Sequence, residues 1–221
     1  MFAVMFEVQP KRERWDDYLA LAKQLKPKLE AIDGFIDNER FASKRTEGRL
    51  LSLSTWRDEK SVVRWRSQGE HHGVQEQGRS RIFEDYHLRV GEITADTAPP
   101  AGHAIREQRL DETEIGAAKL CTITEIPPDA ALAADQALRR LGLDAQAAGL
   151  VDHEIFESIT NPGKLLILGS WRDAAAARAW QTAPAEGAAI RHRSVRVIRD
   201  YGLDDRREAP QFYPAAGRGP K

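Results

Sequence analysis

The sequence predicts an α+β fold made of two tandem ferredoxin-like (βαββαβ) domains packed sheet to sheet, an intrachain pseudo-dimer. Three observations predict it. First, the chain repeats itself. Shifted by 115 positions, Gly34–Trp65 falls on Gly149–Trp180 without a gap, and 13 of the 32 pairs are identical. Second, each copy alternates strand-like and helix-like periods in the order of a split βαβ unit. Third, the identities on the second strand fall on alternate residues. Asp37, Glu39, Phe41 and Ser43 reappear as Asp152, Glu154, Phe156 and Ser158, whereas Asn38, Arg40 and Ala42 do not. Alternate positions share one face of a strand. That face is therefore either the interface between the two sheets, the preferred reading, or a pocket floor.

The elements follow in order. Residues 1–9 alternate as a strand, and Pro10 ends it. Trp15, Tyr18, Leu19, Ala22, Leu25, Leu29 and Ile32 recur at helical spacing over 12–32, and Pro27 should kink or divide that helix. Asp33-Gly34 stops it. Residues 35–44 and 49–56 read as a hairpin about Gly48, matched in the second copy by a turn at Asn161-Pro162-Gly163. Asp58 is placed to cap a helix that carries Val62, Val63 and Trp65. A further helical stretch over 70–84 and a strand over 86–94 complete the copy. The second copy repeats this with shorter helices. Its last strand is expected to align Val195-Arg196-Val197 with Leu88-Arg89-Val90. The domain reading is 1–95 and 118–203, with 96–117 as linker and 204–221 as a polar tail. A four-stranded sheet with helices on one face needs its other face covered, and a tandem copy supplies the cover at high effective concentration.

Bulk composition removes several function classes. The 221 residues carry 33 basic and 34 acidic side chains, so no overall positive field draws nucleic acid or an anionic membrane. No run of about 18 apolar residues is present. The start, Met1-Phe2-Ala3-Val4-Met5-Phe6, lacks a basic region and reads as a strand rather than a signal peptide. Cys121 is the single cysteine, which excludes an intrachain disulfide and a cysteine metal cluster. The expected location is cytoplasmic. No Walker, dinucleotide or nucleophile-elbow motif occurs.

The stretch Asp33-Gly34-Phe35-Ile36, Glu39-Arg40-Phe41, Leu50 to Asp58, Trp65 and Glu70-His71 resembles antibiotic-biosynthesis-monooxygenase domains. The second copy resembles them through Gly149, Glu154-Ile155-Phe156 and Gly169-Ser170-Trp171-Arg172-Asp173. The resemblance implies an intrachain dimeric α+β barrel with a pocket between sheet and helices. It also implies a monooxygenase acting on a small aromatic or quinone-like substrate, with no flavin or metal as cofactor. Trp65 and Trp180 match a tryptophan that orients substrate in the family. The family's tyrosine partner is replaced by His71 or Glu186, and its asparagine by Ser61 or Ala176. The histidine of haem-degrading members falls on Gln75 or Ile190, which disfavours haem degradation and leaves it a minor alternative.

The candidate catalytic residues are therefore His71 and Trp65. An imidazole has a pKa near neutrality and suits a general base beside a substrate hydroxyl. Trp65, His72, Glu39, Phe41 and Arg81 are the candidate substrate-binding residues. Each has a plainer reading: core for Trp65, an exposed helix start for His71 and His72, solvated charge for Arg81. Adjacent histidines on a helix point about 100° apart, so no metal site is expected. A buried, unpaired Glu39 would have a raised pKa and could act as an acid or base. A non-catalytic small-molecule-binding or scaffold module is the alternative reading. The expected partners are a small-molecule substrate and, through the tail, a further copy of the chain.

Overall fold

The structure is a computed structural model, and it describes residues 1–128, 133–142, 144–179 and 189–210. The first half runs β1 (Phe2–Pro10), α1 (Trp15–Glu30), β2 (Phe35–Ser43), β3 (Leu50–Trp56), α2 (Glu59–Arg66), α3 (Gly69–Gln77) and β4 (Phe83–Asp96). The second half runs β5 (Leu120–Ile126), α4 (Ala134–Arg140), β6 (Leu150–Ser158), β7 (Leu165–Trp171), α5 (Ala174–Ala179) and β8 (Arg191–Gly202). The eight strands close into one antiparallel barrel in the order β1-β3-β2-β6-β7-β5-β8-β4. Each half contributes four neighbouring strands, and the halves are stitched at β2–β6 and β4–β8. Closure leaves no free sheet edge.

The repeated face of the second strand points into the barrel. Phe41 and Phe156 are fully buried there with Met5, Leu51, Ile123 and Leu166. Two buried ion pairs share that interior, Arg89 with Glu7 and Arg193 with Glu125. They are equivalent by register: Arg89 lies opposite Met5 and Glu7 opposite His87, while Arg193 lies opposite Ile123 and Glu125 opposite Arg191. Burying a guanidinium is tolerable only with such partners. Arg89 Nη1 also donates to Ser170 Oγ at 2.6 Å.

The same register corrects the expected alignment of the last strands. Leu88-Arg89-Val90 corresponds to His192-Arg193-Ser194, three residues earlier than the sequence pattern suggested. The second copy is thus eleven residues shorter between Trp56 and His87, where its counterpart runs from Trp171 to Arg191. Pro27 sits in the last turn of α1, and the helix continues unbroken to Glu30. Pro27 lacks the N–H that would reach the Lys23 carbonyl, and the helix tolerates that one missing bond without breaking. The helical stretch expected to reach 84 ends in a π-helical turn, Gly78–Ile82, because Phe83 already enters β4.

The Trp-Arg-Asp repeat forms the start of each helix that follows the hairpin. Asp58 Oδ1 accepts from Ser61 N at 2.8 Å, and Asp173 Oδ1 from Ala176 N at 2.7 Å. Gly34 and Gly149 take φ of +88° and +85°, and their carbonyls accept from Arg57 N and Arg172 N. Residues 97–117 form no strand or helix, yet they are pinned. Buried Glu92 accepts from Gln108 N and Arg109 N, and Glu208 accepts from Thr113 Oγ1 and Glu114 N. No helix among the described residues is long and apolar enough to cross a membrane.

Candidate active site

A cavity of about 190 Å³ lies between the outer face of the first-half sheet and the helices that cover it. It suits a small molecule. Its floor is the strand face opposite the barrel interior: Phe6 from β1, Asn38 and Arg40 from β2, Ser52 and Ser54 from β3, Leu88 from β4. Tyr18, Leu21, Leu25 and Leu29 of α1 form one wall, and Trp65, His71, Val74 and Gln75 of α2 and α3 another. Tyr201 of β8, with Arg206 and Pro210 beyond it, closes the remaining side, so the second half completes a first-half site.

Trp65 and His71 stack, with ring centroids 4.0 Å apart and planes 18° from parallel. His71 Nδ1 lies 3.0 Å from the Trp65 carbonyl oxygen. A carbonyl can only accept, so Nδ1 carries the proton and Nε2 keeps its lone pair. Gln75 Nε2 lies 3.4 Å from His71 Nε2 and can donate to it. Burial pushes the His71 pKa down to about 4, more than the Trp65 carbonyl raises it. The ring is therefore neutral across physiological pH and is a hydrogen-bond acceptor more than a strong base. Burial likewise raises the Tyr18 and Tyr86 phenols and pushes Tyr201 up to about 12, so all three remain protonated donors.

The other residues predicted from the sequence lie elsewhere. Glu39 and Phe41 face the barrel interior. Glu39 is not a lone acid: it accepts from Ser158 Oγ at 2.6 Å and pairs with Lys164 at 2.5 Å. Burial raises its pKa, but these partners outweigh burial and hold it below the ordinary carboxylate value. His72 lies 3.8 Å from Glu76 and does not line the cavity. Arg81 is exposed, and Arg79, two residues earlier, lines the cavity in its place. Trp180 and Glu186 lie outside the described residues. Among the described residues, no three His, Cys, Asp or Glu side chains gather to hold a metal ion.

Sequence reasoning missed Asn38, Arg40, Arg66, Tyr86, Tyr201 and Arg206. A signal for the first two was present. The face of β2 that differs between copies is the cavity face. In the second half Ile155 replaces Arg40 and Ile167 replaces Ser52, and both are buried in an apolar cluster. The shared face packs against its own copy and is constrained. The outer face answers only to its own helices and can diverge.

The chain has relatives among known proteins. The family model "Antibiotic biosynthesis monooxygenase" matches residues 1–77 and 122–192. A protein named jasmonate monooxygenase ABM, from Pyricularia oryzae, is 43% identical over 222 residues, which is 98% of this chain and all of that one. Among solved structures, an aldoxime dehydratase superposes with a TM-score of 0.56 at 12% identity, over 89% of this chain and 81% of that one, a likeness of fold. An anthrone oxidase-like protein matches at 13% identity over 95% and 96% of the two chains, with a TM-score of 0.38.

Proposed function

The chain belongs to the antibiotic biosynthesis monooxygenase family, and from that premise we propose that it oxygenates a small organic molecule with an apolar body in the first-half cavity. The observation that carries this reading is the neutral His71 ring stacked on Trp65 in the wall of that cavity. The relative's name makes jasmonate the first substrate to test. Aromatic and quinone-like molecules are the comparison class.

In this reading the leucines of α1 and the phenylalanines of β1 and β4 remove water from the substrate body. Trp65 and His71 present a flat π surface, and His71 Nε2 accepts a hydrogen bond from a substrate hydroxyl or enol. When that group ionises its proton passes on to solvent, since a ring with a pKa of about 4 does not hold it, and Arg40 on the sheet floor favours the oxyanion left behind. The resulting enolate or phenolate is electron-rich enough to react with O2 directly, without flavin or metal. One oxygen atom enters the substrate and the other leaves as water. When a CH2 becomes C=O, the substrate supplies all four electrons and the equation closes without a reductant. When C–H becomes C–OH, two electrons come from an added reductant. The second half, with Ile155 and Ile167 filling the equivalent floor, acts as the structural partner.

The test is oxygen uptake with product mass, using jasmonate, phenols and quinols, with and without NADH. Incorporation of one 18O atom, lost in Trp65→Ala and His71→Ala, supports the reading. Ligand binding without oxygen uptake under either condition overturns it in favour of a binding module.

A further inference from the structure

The cavity is lined by five cationic side chains and no carboxylate, although the chain as a whole carries a net charge of −1. Lys26 is paired with Glu30. Among the described residues, Arg40, Arg66, Arg79 and Arg206 have no acidic partner within ion-pair distance, and Arg40 Nη2 donates to the Ala22 carbonyl at 3.5 Å. The fully buried arginines of the barrel interior, by contrast, each have a carboxylate, Arg89 with Glu7 and Arg193 with Glu125. Arg40, Arg66 and Arg79 are half-buried and Arg206 is exposed at the cavity rim, so together they give an apolar cavity a positive lining that favours an anion.

Arg66, Arg79 and Arg206 line the same cavity as Tyr86 of β4 and Tyr201 of β8. Arg206 Nη1 donates to the Tyr86 hydroxyl oxygen, and its guanidinium lies 5.8 Å from the centre of the Tyr201 ring. Since that oxygen accepts from Arg206, the Tyr86 proton is free for a ligand. Arg66 and Arg79 approach from α2 and from the π-helical turn, and their charges act on Tyr201 and Tyr86.

We propose that Arg66, Arg79 and Arg206, with the Tyr86 hydroxyl, form the seat for the carboxylate of a monocarboxylic acid whose apolar body fills the cavity. The proposal rests on the first-half cavity being the substrate site. It adds which substrates enter, and it assigns selection to Arg206, a residue of the segment after β8. Glu208 fixes the segment that carries Arg206 by accepting from Thr113 Oγ1, Glu114 N and Asp200 N at 2.7 Å each. A planar guanidinium fork matches a carboxylate in geometry as well as charge.

The experiment compares three acids with their methyl esters: jasmonate, 1-naphthylacetate and octanoate. Dissociation constants are measured by calorimetry at low and high salt, for the native chain and for Arg206→Gln, Arg66→Gln and Arg207→Gln. Arg207 is exposed, pairs with Asp205 and does not line the cavity, so it is the control. The expected result is that each acid binds roughly 10- to 100-fold more tightly than its ester, as charge-assisted bonds imply. Arg206→Gln and Arg66→Gln should erase that preference by weakening the acids far more than the esters, and Arg207→Gln should keep it. Equal binding of acid and ester, a preference that survives both lining variants, or no acid binding at all overturns the proposal. Oxygen uptake is recorded separately. Acids that bind selectively without turnover leave the seat standing and remove the monooxygenase reading.

Discussion

If the His71 ring is buried against Trp65, acid should unfold the protein through that one imidazole in a measurable way. In the folded chain its pKa is about 4, against an ordinary value near 6.5 in the unfolded chain. Below pH 6.5 the unfolded state binds a proton that the folded state refuses. The folded pKa is depressed, so stability is fully present above pH 6.5 and drains away as pH falls towards 4. At about 1.4 kcal/mol per pKa unit, the loss over that window is about 3 kcal/mol. Carboxylates protonate over part of the same range, so the comparison is with His71→Asn, which retains a side-chain amide but does not titrate. Urea unfolding at half-unit steps from pH 7 to pH 4 gives both curves. The native chain should lose about 3 kcal/mol more than the variant across the window. Parallel curves would show a solvent-exposed imidazole and refute the stacked, neutral ring. The same pKa implies that activity should not step through pH 6.5, as it would if an ordinary imidazole acted as base.

Other perturbations test the frame that holds the site. Arg89→Met strands buried Glu7 and should cost about 3–5 kcal/mol in chemical denaturation, with most of that recovered by adding Glu7→Gln. If the double variant is no better than the single one, the ion pair is not the cause. Gly34→Ala forces a side chain at φ +88° and brings its Cβ within 2.0 Å of Ser61 Oγ. A loss of at least about 2 kcal/mol is expected there, whereas Gly73→Ala in α3, with nothing within 4 Å, should gain about 0.5–1 kcal/mol. Residues 1–117 expressed alone leave the β2 and β4 edges and the Phe41 face open, so light scattering should find dimers or aggregates. A folded monomer would contradict the closed barrel.

The internal repeat made the architecture legible without coordinates. Trp56-Arg57-Asp58 and Gly34 recur as Trp171-Arg172-Asp173 and Gly149 because each Gly and Asp meets a local demand, a positive φ or a helix cap, that the chain states within a few residues. Asp37, Glu39, Phe41 and Ser43 recur because a face packed against its own duplicate must match it. Trp65 and His71 stood out through their place in the repeat and the family pattern, and both line the cavity. The rest of the site was not legible. Arg206 lies 120 residues from Tyr86, whose hydroxyl it reaches, and nothing local joins them. Likewise, the register of the last strand depends on which residue of β1 or β5 it hydrogen-bonds, not on its own alternation. The sequence alone determined the elements and the pairing of the copies, since these follow from short-range periodicity and repetition. Only the tertiary structure decided which four arginines converge on one apolar cavity, because closing the barrel brings β8 and its following segment beside α2 and β4.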